Sequence, residues 1–270
     1  WSTARAYLDP ARKRSNLKIQ TGSLVHKITF DGTKAVAVTY MSGSGALKSV
    51  QARKEIILSA GAVGSPHILM LSGIGPAAHL QDTGIDVLHD LPGVGQNLND
   101  HPDFVLKYKC KRPVSIWPKT KGLAKLGAGI QWILTRRGIV SSNGFEGLGC
   151  IRSGKDVDYP DLQIIITPVA VDDATWTPLQ EHAFQIHVGL MRAHSRGSIE
   201  LRSSNPNDPP HILVNYLKDD RDRDRMRKGI RLVRNIVDQP AFFGLKGDEI
   251  FPGCDVKSDE DLDQVLRSNT

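Results

Sequence analysis

Residues 59–101 read SAGAVGSPHILMLSGIGPAAHLQDTGIDVLHDLPGVGQNLNDH, and this stretch decides the fold class. The apolar run 54–58 before it is too short for a helix and rich in branched residues, which predicts a strand buried on both faces, as in a parallel sheet. Small residues then form a turn, and Ser65 and Pro66 predict the N-cap and first position of a short helix that ends at Gly73. This order of strand, turn and helix is typical of the ligand-binding edge of an α/β sheet, although a tight turn without a ligand gives the same pattern.

Length and composition indicate a soluble globular protein with one large or two smaller domains. Of the 270 residues, 40% are hydrophobic and 24% are charged. The net charge of +6 and the pI near 9.2 are compatible with nucleic acid or an anionic membrane surface as a partner. Residues 219–228, DDRDRDRMRK, alternate in sign, which predicts a solvated helix face, and we therefore expect no nucleic-acid partner. No apolar run approaches the roughly 20 residues that a transmembrane helix needs.

Neither the cysteines nor the histidines have the spacing of a metal site. The cysteines are odd in number and far apart, which predicts reduced thiols in a cytosol-like compartment. They are Cys110, Cys150 and Cys254. The histidines that cluster in sequence contain no i, i+4 pair with a third ligand nearby. They are His182, His187 and His194. We therefore expect no metal.

Alternation of apolar and polar residues predicts a small β-meander early in the chain. Its strands are expected at residues 24–30, 35–40 and 47–52. Gly32 lies in the first turn, where it supplies the positive φ that a tight hairpin requires. The meander leads directly into the predicted strand 54–58.

Beyond Pro102, longer strands alternate with longer connections. Strands are predicted at residues 104–110, 149–152, 161–167, 183–190 and 197–202. Amphipathic helices are predicted at residues 122–137 and 226–237 and after Ser258, which forms a capping box with Asp261. This half of the chain is therefore expected to fold as a mainly antiparallel sheet with helices on one face.

The residues of two motifs indicate a protein family more specifically than their predicted secondary structure does. Residues 61–75, GAVGSPHILMLSGIG, resemble the second signature of the glucose–methanol–choline (GMC) oxidoreductases, flavoenzymes that oxidise alcohols. Residues 93–101, GVGQNLNDH, resemble the next motif of that family. The resemblance implies an α/β plus α+β fold, with the rear part of an FAD-binding domain at residues 1–102. It also implies a substrate-binding domain at 103–270, incomplete at its C-terminus, with the GMC C-terminal region starting at about 193.

The resemblance also implies which residues lie near the FAD. In GMC proteins the residue that matches Val25 touches the adenine end of FAD through its backbone, although a plain core valine is the alternative for a strand residue. The other expected cofactor contacts come from the turn and helix start of the signature. They are Ser59, Ala60, Gly61, Ser65 and Pro66.

Two features of a complete GMC enzyme are not found in this sequence. The G-x-G-x-x-G turn that holds the FAD pyrophosphate near the N-terminus is absent. The catalytic histidine and its histidine or asparagine partner are expected beyond Thr270. We therefore expect the chain to be the middle of the enzyme, with no catalytic residue of its own. Alone, it should neither bind FAD tightly nor oxidise an alcohol.

Within the family, residues 110–118 and 141–146 most resemble members that oxidise choline to betaine aldehyde. A quaternary ammonium requires an aromatic contact and a carboxylate, and the resemblance suggests Phe145 and Glu146 for these roles. The non-functional alternative for Glu146 is a surface residue in a salt bridge. Gly144, where histidine is usual, and His194 depart from the pattern, so another alcohol is the alternative substrate. The alternative of a different class is a non-catalytic binding or folding module.

The expected partner is thus a small alcohol, choline first, with the electron acceptor left open. Peripheral association with a membrane is kept as an alternative, because the net charge is compatible with an anionic surface. The expected location is the cytoplasm or the periphery of the inner membrane.

Overall fold

A computed structural model describes residues 2–270, in which the chain folds as two units. The first unit contains the residues up to Leu98 together with Ser198–Leu213. The second contains Asn99–Gly197 and Val214–Thr270. The segment Ser198–Leu213 therefore belongs with the first unit, although it lies between two parts of the second in sequence.

The first unit begins with a π-helical turn at Ala4–Leu8 and the short helix α1 (Asp9–Ala11). An antiparallel meander follows, as predicted, in the order β1-β2-β3. Its strands are β1 (Leu24–Asp31), β2 (Lys34–Met41) and β3 (Leu47–Gln51). Gly32 has a φ of +57°, which confirms its predicted role in the first turn.

The predicted strand at residues 54–58 is wrong. These residues form no regular element, and Ile57 is 80% exposed. A parallel strand draws its hydrogen bonds from neighbouring strands and its burial from covering helices. Among residues 2–270 no strand pairs with this run, so it forms no strand, although Ile56 and Leu58 are half-buried.

The helix of the signature, α2 (Gly61–Leu71), begins five residues earlier than predicted. Ser65 is not its N-cap: the Ser65 hydroxyl accepts a hydrogen bond from the amide of Ala60 at 3.1 Å. Pro66 lies inside the helix, where its nitrogen cannot pair with the carbonyl of Ala62. The φ of +82° at Gly61 lets the chain turn directly into the helix, and this explains the earlier start.

The signature ends in a tight crossing of two chain segments. Gly73 terminates α2 with a φ of +83°, as predicted, and a Cβ at this position would lie 2.6 Å from the carbonyl oxygen of Asp86. Beyond it, β4 (Ile74–Gly75) pairs in parallel with β5 (His89–Asp90), and α3 (Ala77–Asp82) connects them. β6 (Gln96–Leu98) closes this part of the chain.

The rest of the chain contains seven strands and three α-helices among the residues described. The strands are β7 (Asp103–Cys110), β8 (Gly147–Ile151), β9 (Leu162–Thr167), β10 (Ala183–Leu190), β11 (Gly197–Glu200), β12 (His211–Leu213) and β13 (Lys246–Phe251). The helices are α4 (Gly122–Thr135), α5 (Asp220–Val237) and α6 (Asp259–Asn269). β12, β11 and β6 form a three-stranded sheet of the first unit.

The second unit is built on a five-stranded antiparallel sheet in the order β13-β7-β10-β9-β8. Successive side chains of a strand point to opposite faces, and on one face of this sheet every second residue is apolar and buried. On β7 these are Phe104, Leu106 and Tyr108, and on β10 they are Ile186, Val188 and Leu190. The buried side of α5 packs on this face, and α6 joins the same core. The predicted antiparallel sheet with helices on one face is confirmed.

Among the strands beyond Pro102, β12 and β13 were not predicted. β13 reads KGDEIF, without a period-two pattern, and its register with β7 shifts twice. β12 is three residues long and exposed. Both lack the alternation that a buried strand face imposes.

Candidate active-site regions

The N-terminal turn of α2 is an open surface of backbone N–H groups. Residues 59–63 are exposed, and no side chain caps the start of the helix. A Cβ at Gly61 would have no atom within 4 Å. The first amides of a helix lack intrahelical acceptors and carry the positive end of the helix dipole. This turn can therefore accept anionic or polar oxygen atoms of a ligand at close range.

Val25 lies beside an irregularity of the meander. It is half-buried in β1 opposite Tyr40, and the register between β1 and β2 shifts between Val25 and Lys27. Such a shift leaves one residue of the ladder unpaired. At the same place the Nε2 atom of His26 is buried without a hydrogen-bond partner. One polar ring atom beside Val25 is thus left for another group to pair with.

Glu146 lies at the start of β8 and is exposed. Its carboxylate accepts a hydrogen bond from the Ser142 hydroxyl at 2.8 Å, and its amide donates to the carbonyl of Ile166 at 3.1 Å. The side chain lines a cavity of about 430 Å³ that is also lined by Lys119 and Lys125. The two ammonium groups oppose the charge of the single carboxylate, so the cavity is not strongly negative.

Gly144, which departs from the family pattern, has a φ of +82°. Glycine adopts this left-handed conformation without strain, whereas a histidine would be strained there. The departure therefore matches the backbone that this chain has at the loop.

Phe145 contacts a polar cluster that was not predicted from the sequence. Its ring is 50% exposed and meets the ring of His187 edge-on, with 6.3 Å between centroids. The Nδ1 atom of His187 lies 2.6 Å from a carboxylate oxygen of Asp103, and its Nε2 atom lies 2.9 Å from the side-chain nitrogen of Gln185. The side-chain oxygen of Gln185 in turn accepts a hydrogen bond from the backbone N–H of Val171 at 3.0 Å.

These contacts determine which nitrogen of His187 carries the proton. The carboxylate of Asp103 can only accept, so Nδ1 donates to it, and the amide nitrogen of Gln185 donates to Nε2. Both nitrogens of the ring then have a hydrogen-bond partner. The side chain of Asp103 is 45% exposed and lies on the strand next to the aromatic pair.

This cluster lies on the face of the sheet that α5 does not cover. Asp103 and Lys107 alternate with the buried apolar residues of β7, and Gln185 and His187 do so on β10. Gln185 lies opposite Lys107 in the register. Lys107 is only 6% exposed and is paired with Asp173 at 2.6 Å. The same alternation could have identified this face from the sequence, because the polar residues of β10 are two positions apart and Asp103 and Lys107 share the same face of β7.

The histidines singled out in the sequence have separate partners. His182 Nδ1 lies 2.9 Å from the Ser115 hydroxyl, and His194 Nδ1 lies 3.2 Å from Asp222. Within residues 2–270 no group of three or more potential ligands is placed to hold a metal ion. Over the same residues, no helix has the length and apolarity that crossing a bilayer requires.

Comparison with known proteins identifies the family. Two family models, both described as GMC oxidoreductase, match residues 1–103 and 193–270, well over half of the chain together. The chain belongs to the GMC oxidoreductases. The family consists of FAD-dependent enzymes, and the resemblance of residues 61–75 and 93–101 to its motifs is thereby confirmed.

Curated relatives and solved structures agree with this family. The chain is 46% identical over 269 residues to the oxygen-dependent choline dehydrogenase of Pseudomonas syringae pv. tomato, covering 99% of this chain and 47% of that protein. It therefore spans about half the length of the curated relatives it matches. An FAD-dependent oxidoreductase from Chaetomium thermophilum has a TM-score of 0.86 at 25% identity, over 98% of this chain and 52% of that one. A formate oxidase has a TM-score of 0.88 at 24% identity, over 96% and 50%, which supports the fold alone.

The open turn of α2 fits a GMC cofactor. Its uncapped amides and the missing Cβ at Gly61 suit a dinucleotide, which presents phosphate and ribose oxygens. The register irregularity at Val25 and the unpartnered Nε2 of His26 fit a contact to a heterocycle. Ser65 and Pro66, both half-buried, lie on the second turn of α2, and the Ser65 hydroxyl accepts the amide of Ala60.

Proposed function

We propose that this chain is part of an FAD-dependent oxidoreductase that oxidises choline to betaine aldehyde. The observation that carries the proposal is the 46% identity with oxygen-dependent choline dehydrogenase over 269 residues. We also propose that residues 1–102 are the rear part of the FAD-binding domain and that residues 103–270 belong to the substrate-binding domain. Their GMC C-terminal region would start at about 193, where the second family match begins.

The first unit would hold the FAD through backbone groups. The proposed contacts are Val25, Ser59, Ala60, Gly61, Ser65 and Pro66. When bound, the flavin accepts a hydride from the alcohol carbon. The contribution of this chain is positioning, since its α2 turn offers fixed N–H donors and its Gly61 allows close approach of a ligand to the backbone. The histidine that takes the hydroxyl proton is not among residues 1–270 in this proposal.

On the substrate side we propose that Phe145 and Glu146 bind the trimethylammonium group. Phe145 offers an exposed ring face, and cations are attracted to aromatic faces. Glu146 offers a carboxylate in the next position, although Lys119 and Lys125 line the same cavity. Asp103 is the second candidate for the carboxylate, because it holds the histidine against which Phe145 packs and forms no ion pair with a lysine among the described residues.

The two carboxylates can be separated by isosteric substitutions in the full-length enzyme. A charge pair at about 4 Å has a gross attraction of about 4 kcal/mol at an effective dielectric constant near 20, and desolvation leaves about 1–3 kcal/mol. Neutralising the carboxylate that binds choline should therefore raise the KM for choline by roughly tenfold to a hundredfold. The effect should fall on KM and not on kcat, because the ammonium charge is the same in the ground and transition states.

The measurement compares Glu146→Gln with Asp103→Asn on choline and on 3,3-dimethylbutan-1-ol, the neutral isostere. Only the choline KM should rise, and only in the variant of the binding carboxylate. If neither variant changes the choline KM, or if both substrates weaken equally, the cationic substrate is refuted and another alcohol becomes the better proposal.

The alternative function, a non-catalytic module, is tested by purifying the segment of residues 1–270 alone. We expect the purified segment to carry no stoichiometric flavin absorbance after gel filtration, since the pyrophosphate turn is not in its sequence. For the whole protein we propose a location in the cytoplasm or at the periphery of the inner membrane.

A further inference from the structure

One segment of the second unit contains basic residues and no acidic ones. Residues 111–145 contain no aspartate or glutamate. Their basic residues are Lys111, Arg112, Lys119, Lys121, Lys125, Arg136 and Arg137. With seven basic and no acidic residues, the segment carries a charge of +7, in a chain whose net charge is +6. Such a segregated basic patch favours an anionic partner.

These cations lack ion-pair partners in the described part of the chain. None of them forms an ion pair with a carboxylate within residues 2–270, whereas the arginines at the start of α5 are paired with aspartates. Lys121 and Arg136 instead lie over tryptophan rings, at 3.8 Å from Trp117 and 4.4 Å from Trp132. A cation on an aromatic face keeps its charge, so the patch still attracts anions.

The same segment carries an exposed apolar helix. None of the 14 residues of α4 is buried. The large apolar residues of its stripe are Leu123 at 87% exposure, Leu126 at 61%, Ile130 at 49%, Ile133 at 63% and Leu134 at 76%. Their spacing of three and four residues places them on one side of the helix. Lys119 and Lys121 lie before this stripe, and Arg136 and Arg137 lie after it.

We propose that α4 is the membrane-contact helix of this protein and that it lies in the plane of an anionic bilayer. The stripe would enter the boundary between headgroups and acyl chains, while the cations at both helix ends meet lipid phosphates. The combination of an apolar stripe with unpaired cations and no acid selects this partner, since an apolar protein surface alone would not need the charge. The inference rests on the peripheral association proposed above and names its surface.

The test is flotation of the full-length protein with phosphatidylcholine vesicles, alone or with about 30% phosphatidylglycerol. Binding is expected to the anionic vesicles and should weaken in about 0.5 M NaCl, which shortens the screening length to about 4 Å. The double variant Leu123→Ser/Leu126→Ser should bind about a hundredfold more weakly, roughly tenfold for each leucine. Lys119→Gln should cost about fivefold.

Leu47→Ser is the matched control, because Leu47 lies on β3, outside the segment, and is 63% exposed. Its vesicle affinity should equal that of the wild type. The proposal is overturned if the wild type does not bind anionic vesicles or if the double serine variant binds equally well. It is also overturned if that variant changes the oligomeric state or the flavin content, because another protein surface would then cover α4. Choline oxidation with a soluble acceptor, measured without vesicles, reports separately on the proposed function.

Discussion

Replacing the buried carboxylate of Asp222 is expected to destabilise the second unit by about 3 kcal/mol. Asp222 lies in the first turn of α5 and is completely buried. Its Oδ1 atom accepts the amide of His194 at 2.8 Å, and its Oδ2 atom accepts the amide and the hydroxyl of Ser195 at 2.7 and 2.6 Å. One carboxylate thus holds the chain segment that enters the GMC C-terminal region.

The magnitude follows from what Asp222→Asn leaves behind. Asparagine keeps one acceptor oxygen and places an NH₂ group where the other stood, facing the amide of Ser195. That amide loses its partner in a buried site, which costs about 1–3 kcal/mol. The bonds to His194 become neutral instead of charge-assisted, which weakens them by about 1 kcal/mol more. A negative charge near a helix N-terminus, worth a few tenths of a kcal/mol or more, is also lost.

The pH dependence of this contribution has a definite sign. Burial alone would raise the pKa of Asp222, but the hydrogen bonds from the Ser195 hydroxyl and from the amides of His194 and Ser195 lower the pKa below the ordinary carboxyl value. A carboxyl group whose pKa is lower in the folded state stabilises the protein above its unfolded pKa. The difference between wild type and Asp222→Asn should therefore be constant near neutral pH and narrow below about pH 4.

The measurement is urea unfolding of the full chain, followed by tryptophan fluorescence. Trp117 lies in the second unit against His182, at 5.3 Å between centroids, and should report on its unfolding. Asp224→Asn is the control on the same helix: its carboxylate is exposed and paired with Lys228 at 2.8 Å, so a loss below about 1 kcal/mol is expected. Equal losses for the two variants would refute the assignment of Asp222 as a structural anchor.

Packing, capping and thiol reactivity give three more predictions. Gly229→Ala should cost about 1–3 kcal/mol, because the new Cβ would lie 2.5 Å from Cγ1 of Val188; an unchanged urea midpoint would contradict this. Ser258→Ala should cost about 1 kcal/mol, since its hydroxyl caps α6, and thermal unfolding measures the loss. Cys110 should react with a disulfide reagent more slowly than the exposed Cys150, because burial raises the pKa of the Cys110 thiol; equal rates in single-cysteine variants would argue otherwise.

The sequence alone determined the features that depend on near neighbours. The turn at Gly32, the end of α2 at Gly73 and the capping box of Ser258 with Asp261 were all predicted and are all present. Each is set by φ preferences or by a side chain three residues away. The antiparallel second unit was also predictable, because one buried face imposes alternation on each strand separately.

Only the tertiary structure decided the features that need a distant partner. The run 54–58 has the composition of a buried strand, but without a neighbouring strand among residues 2–270 it forms none. Ser65 and Pro66 have the pattern of a helix start, but the helix begins earlier in the sequence, at Gly61, which has a positive φ. The helical pattern of α4 was predicted, whereas the exposure of its apolar stripe was not. Pairing, burial and exposure depend on what lies opposite, which the local pattern does not contain.

The candidate substrate site divides in the same way. Phe145 and Glu146 were found through a continuous motif, since they are adjacent in sequence. Asp103 and His187 are 84 residues apart and became a pair only when β7 and β10 aligned in register. Their side chains lie on the same face because alternation repeats every two residues. They meet because the register pairs His187 with Val105, two residues from Asp103 on the neighbouring strand. The sequence determines which residue types each strand carries, and the pairing of strands decides which of them touch.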